Sequence, residues 1–180
     1  MAWEFDVLNG IQQIFQSKLM DQIMPLITAL GNGGCLWIAL GLVFTMWKRT
    51  RILGICMLAA LFLEVLSCNV ILKPLVARPR PFTFDPSRIL LIPAPEDYSF
   101  PSGHTAVSFA AAAAVWNCRK RKLGLVFGVV AVLIAFSRLY LFYVHYPTDV
   151  LAGMVIGIVC GMAASKIVLK LPIPGVDGAE

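Results

Sequence analysis

A chain of 180 residues with 59% in the apolar set and 14% charged, and a mean hydropathy of +0.81, lies outside the composition of soluble domains, so lipid is expected to be its main solvent. Its formal charge of +5 is accounted for by cytoplasmic loops and anionic lipid headgroups, and no soluble basic surface of the kind that binds nucleic acid is apparent. The five cysteines (Cys35, Cys56, Cys68, Cys118 and Cys160) are scattered in or beside apolar runs without metal-ligand spacing, which argues against both a disulfide framework and a thiolate metal site.

The first six residues lack the basic region of a cleavable signal peptide, so the first true span is expected to direct insertion. Residues 4–30 mix apolar positions with Gln12, Gln13, Gln16, Lys18 and Asp21, as an interfacial amphipathic helix or a poor sixth span would. Gly31-Asn32-Gly33-Gly34 then breaks the chain. Five clear spans are expected at about 33–47, 52–72, 102–118, 123–140 and 148–171. The reading is one domain over residues 1–180: an all-α, polytopic transmembrane bundle at 31–171 behind an N-terminal element at 1–30.

Lys48, Arg49 and Arg51 separate the first two spans, and Arg119, Lys120, Arg121 and Lys122 separate the third and fourth. By the positive-inside rule both loops are cytoplasmic, which places loop 73–101 and turn 141–147 outside in a multi-pass cell-membrane protein. That exterior loop nevertheless carries Lys73, Arg78, Arg80 and Arg88, cations that hinder translocation. Snorkelling or headgroup binding would account for them if they stood alone. Gly153, Gly157 and Gly161 form a ladder on the last span that lets another helix approach closely. Trp37, Trp47 and Trp116 read as interfacial anchors. Glu64, in mid-span, is either a functional carboxyl or a hydrogen-bonded packing residue.

Pro101-Ser102-Gly103-His104 opens the third span, so Ser102, Gly103 and His104 are expected to present unpaired backbone N–H groups at the positive end of a helix dipole. Taken alone, the four residues also read as a proline turn and a helix cap. Ser137-Arg138 lies near the outer end of the fourth span. His145-Tyr146-Pro147-Thr148-Asp149 enters the fifth, with Asp149 one turn in and able to reach back to His145 and fix its tautomer. The chain's two histidines thus both fall on the outer side, each beside a helix start and in the company of cations.

With these residues in order, the chain resembles the type 2 phosphatidic acid phosphatase (PAP2) superfamily. Lys73, six residues, then Arg80-Pro81 match its first motif, Pro101 to His104 the second, and Ser137-Arg138 with His145-x-x-x-Asp149 the ends of the third. Arg78-Pro79 is a second Arg-Pro pair at the wrong distance from Lys73. Six residues rather than five separate Arg138 from His145, a rotation of ~100° if the insertion were helical. The resemblance implies a bundle with a core like that of the haloperoxidases, in which the three motifs converge. It implies His145 as nucleophile, oriented by Asp149, and His104 as the acid and then the base. Lys73, Arg80, Arg138, Ser102 and Gly103 would bind the phosphate. Neither metal nor cofactor is required, and the exterior acids Asp85, Glu96, Asp97 and Asp149 are scattered among cations rather than clustered as metal ligands. The expected substrate is a lipid phosphate or diphosphate: phosphatidic acid, phosphatidylglycerophosphate or undecaprenyl diphosphate. A phosphotransferase of the same superfamily would use the same residues, and a lipid-binding or transport protein would use Glu64 and the cations without needing the histidines.

Overall fold

The computed structural model describes residues 2–85 and 90–172, and the regular structure among them is all helical. Two N-terminal helices, α1 (Ala2–Phe15) and α2 (Lys18–Ala29), precede α3 (Cys35–Met46) and α4 (Arg51–Val65). The latter runs on through a π-helical stretch, Leu66–Leu72, into the short α5 (Lys73–Val76). After a long loop come α6 (Gly103–Asn117), α7 (Arg121–Tyr140) and α8 (Pro147–Val168). Arg88, one of the expected exterior cations, lies outside the described residues.

The five expected spans are matched by α3, α4, α6, α7 and α8, which differ in length and cover. Among the described residues, Arg51–Thr83, Arg121–Tyr140 and Pro147–Val168 are each long and apolar enough to cross a membrane. Lys18–Ala29 and Asn32–Met46 make a further span only as a pair bent by 42°. The bend falls at Gly33 and Gly34, both at positive φ, where glycine carries no Cβ penalty. The expected first span is therefore continuous with part of the N-terminal element, and only α1 stands apart from it.

The expected third span is α6, at 15 residues shorter than a bilayer requires. It survives because it meets protein rather than lipid. Ala106, Ala110, Ala111 and Ala114 are wholly buried, and the helix packs against α4, α7 and α8. The glycine ladder supplies the close approach: a Cβ on Gly153 would lie 2.6 Å from the Ser102 carbonyl oxygen and one on Gly161 2.5 Å from that of Ala110, while one on Gly157 would strike the Ala106 carbonyl. Trp37 departs from its expected role as an interfacial anchor. It is buried, donates from Nε1 to Ser108 Oγ at 3.0 Å and packs on Phe127, joining α3 to α6 and α7.

These packings bring the C-terminal ends of α4 and α7 and the N-terminal ends of α6 and α8 to one end of the bundle. The cationic loops Lys48–Arg51 and Arg119–Lys122 lie at the other.

Candidate functional site: two histidines and three cations around one cavity

Local chain chemistry builds the cavity wall from three directions. The π-helical stretch after Glu64 carries Asn69 and leads to Lys73, and Ala77 at φ 47 ends that helix by donating its N–H to the Lys73 carbonyl at 2.9 Å. Extended backbone at Arg80 turns its side chain back inward, and Ser102, also extended, starts α6. Pro147 starts α8 from an extended Tyr146.

A cavity of about 410 Å³ results, with Lys73, Arg80, Arg138, Gly103, His104 and His145 all on its wall. His145 is 1% exposed, and its Nε2 lies 3.2 Å from Arg80 Nη1. Burial first, then the charges of Arg138, Arg80 and Lys73, hold this imidazole well below its usual pKa, so the ring is neutral, with the Nε2 lone pair facing Arg80. His104 Nε2 is held 2.8 Å from Asn32 Oδ1. His104 also lines a second cavity of about 400 Å³ shared with Lys73, Asp97, Asn69 and Glu64. Glu64 is 1% exposed.

Two details differ from the sequence expectation. The Ser102 N–H is not free, because it donates to the Asp149 carbonyl at 3.0 Å and so ties the start of α6 to the start of α8. Its hydroxyl is buried and accepts from Thr105 at 3.0 Å, leaving Gly103 as the residue of that pair on the cavity wall. Asp149 Oδ2 lies 3.6 Å from His145 Nδ1, beyond hydrogen-bond distance, and Nδ1 has no partner. The Asp149 carboxylate is held instead by Arg78 at 2.6 Å, the Ser99 hydroxyl at 2.5 Å and the Tyr146 N–H at 2.9 Å.

Arg78, which motif spacing set aside, is therefore structural to the site. Its other amino group donates to Glu4 Oε2 at 2.7 Å, and its guanidinium lies 3.8 Å from the Tyr146 ring centroid. Glu4 also accepts from Thr148 at 2.5 Å, so α1 closes the far side of Asp149. No sequence signal relates Glu4 to residues more than seventy positions away. Asp97, which bridges Lys73 and Arg80, is visible in the sequence only as an acid in a cationic loop. An Arg78→Met protein is expected to lose ~3–5 kcal/mol of stability, because two buried carboxylates lose their cation. Thermal unfolding in detergent measures this, and an unchanged melting temperature would mean that Asp149 is held without Arg78.

The PAP2 superfamily model matches residues 49–172. An undecaprenyl-diphosphatase of Sulfolobus acidocaldarius is 31% identical over 142 residues, 79% of this chain and 68% of that protein. The undecaprenyl-diphosphatase BcrC of Bacillus subtilis is 32% identical over 161 residues, 87% of this chain and 78% of its own length. Among solved structures, Aquifex aeolicus LpxE superposes with a TM-score of 0.77 at 28% identity, covering 92% of this chain and 96% of that one.

Proposed function

Because this chain belongs to the PAP2 superfamily and is a membrane phosphatase of that class, we propose that it hydrolyses a lipid phosphate or diphosphate at the outer membrane face through a phosphohistidine, with a polyprenyl diphosphate as its preferred substrate. The observation that carries the reading is the convergence of His104, His145, Lys73, Arg80 and Arg138 on one cavity. The names of the two undecaprenyl-diphosphatases support the choice of substrate.

Each group has a task that its position suits. Lys73, Arg80 and Arg138 bind the phosphoryl oxygens and offset the charge that builds up in an in-line transfer. Nε2 of neutral His145 forms an N–P bond as the P–O bond to the leaving group breaks. A small turn of the ring closes the 3.6 Å gap to Asp149, which then stabilises the positive charge. His104, set where the two cavities meet, protonates the departing oxygen. It next takes a proton from water, whose oxygen attacks phosphorus, releases phosphate and restores His145. The cationic loops at the opposite end of the bundle support an outward-facing site.

The test is phosphate release by the protein in detergent from farnesyl diphosphate, phosphatidylglycerophosphate and phosphatidic acid. The diphosphate is expected to show the highest kcat/KM. Activity should persist in EDTA and fall with orthovanadate, which adopts the five-coordinate geometry of the transferring group. Activity lost in EDTA and restored by magnesium would reject the mechanism, and a preference for phosphatidic acid would reject the substrate.

A further inference from the structure

The cations of the cavity already hold an anion supplied by the chain itself. Lys73 Nζ donates to Asp97 Oδ2, and Arg80 Nη2 donates to Asp97 Oδ1 at 2.5 Å. Burial pushes the Asp97 carboxyl up, but the hydrogen bond and charge of Lys73, with those of Arg80, outweigh it and hold the group at about 2, so it is ionised throughout the physiological range. A count of donors shows what this means for a ligand. A guanidinium has five N–H groups. Those of Arg80 face the Asp97 carbonyl at 2.8 Å, Asp97 Oδ1 at 2.5 Å, the Tyr98 carbonyl at 3.4 Å, the Val144 carbonyl at 2.8 Å and His145 Nε2 at 3.2 Å. The fork is saturated, so an incoming oxyanion reaches Arg80 only by displacing one of these partners. Three are main-chain carbonyls and one is the buried His145. Asp97, with a side chain 52% exposed against 4% for Arg80 and 12% for Lys73, stands at the open side of the cavity.

We propose that Asp97 is an internal counter-anion which the substrate's phosphate must displace from Lys73 and Arg80, and that this exchange weakens the hold of the site on every phosphate ligand, the product included, by a common factor. The inference rests on the assignment of Lys73 and Arg80 as phosphate ligands. In the resting enzyme the carboxylate keeps two mutually repelling cations together. After the reaction its return competes with inorganic phosphate and helps to expel the product. The cost of moving the carboxylate aside is common to every ligand that takes its place, so it lowers affinity for substrate and product alike and leaves their order of preference unchanged.

Asp97→Asn removes the competing charge at nearly constant shape, and Glu96→Gln removes the same charge from the neighbouring exposed position. In Asp97→Asn, inhibition by orthovanadate and by inorganic phosphate is expected to tighten at least ~10-fold, by a similar factor for each. In Glu96→Gln both should stay within ~2-fold of wild type. If Asp97 merely braced the loop, its loss would loosen Lys73 and Arg80 and weaken both inhibitors. Unchanged or weaker inhibition in Asp97→Asn, or equal tightening in Glu96→Gln, therefore overturns the proposal. A second measurement needs no variant: in wild type, orthovanadate should speed amide hydrogen exchange at residues 96–98 as the carboxylate is released, and slowed or unchanged exchange would overturn it. A wild type indifferent to orthovanadate at every concentration would instead remove the phosphate-site assignment, and this inference with it.

Discussion

His145→Ala is expected to lose at least ~10⁴-fold in turnover and to form no phosphoenzyme with any substrate, because the proposed nucleophile beside Arg80 is gone. His104→Ala is expected to be as inactive toward lipid phosphates, for a different reason. A lipid alkoxide is a poor leaving group and needs a proton, whereas an activated aryl phosphate departs without one. The first step should therefore survive in His104→Ala when the substrate is an aryl phosphate. Water then lacks its base, and the enzyme should stall with a burst of about one equivalent of aryl alcohol and an acid-labile, base-stable phosphohistidine. Rapid-quench kinetics on both variants separates the roles. A burst from His145→Ala with none from His104→Ala would mean that nucleophile and acid are exchanged. The complete absence of a phosphoenzyme from wild type and both variants would count against a covalent route. In the proposed assignment His145, whose Nε2 lies 3.2 Å from Arg80, is the nucleophile, and His104, on the wall common to both cavities, is the acid.

Most of this site is legible in the sequence because its chemistry is local. Lys73 to Arg80, Pro101 to His104 and His145 to Asp149 each sit within one turn or loop, and hydropathy places the adjoining helix ends. What the chain does not announce is how the carboxylates are used. Spacing along the helix pairs Asp149 with the His145 ring one turn before it, yet in the fold its oxygens are taken by Arg78, Ser99 and the Tyr146 amide. Arg78 is anchored by Glu4 from the opposite end of the sequence. Sequence distance carries no information about such long-range ion pairs. The reach of each span is less legible for a related reason, since hydropathy reports apolarity and not what covers it. The alanine-rich α6 joins the site end of the bundle to the end that carries Arg119–Lys122 in only 15 residues, because three other helices cover it.

Arg138 is the residue on which sequence and fold have most to reconcile, and its loss is the second large effect expected. One residue more than the family spacing separates it from His145, and continued helix would swing one away from the other by ~100°. The helix instead stops at Tyr140. Phe142 at φ 48 and Tyr143 at φ 65 follow in the left-handed region, a strained path for two aromatic residues at ~1 kcal/mol or more each. The strained turn is held from the facing loop: Phe82 N–H donates to the Tyr143 carbonyl at 3.0 Å and Arg80 to that of Val144 at 2.8 Å. The extra residue is taken up there, and Arg138 and His145 line the same cavity. Arg138 is 2% exposed, donates to Thr28 Oγ1 at 2.7 Å and leaves Nε without a partner. A buried guanidinium so sparsely bonded is costly unless an anion completes it, and in the proposed reaction the transferring phosphoryl group is that anion. Arg138→Ala should therefore lower kcat at least ~100-fold, the scale of a lost transition-state charge partner. Arg138→Lys, with the charge but not the fork, should recover about one decade of that loss. Thr28→Val, which removes the one neutral partner, should cost less than ~10-fold. Near-normal kcat in an Arg138→Ala protein with a wild-type melting temperature would mean that the turn at Phe142–Tyr143 carries the guanidinium past the phosphate rather than onto it.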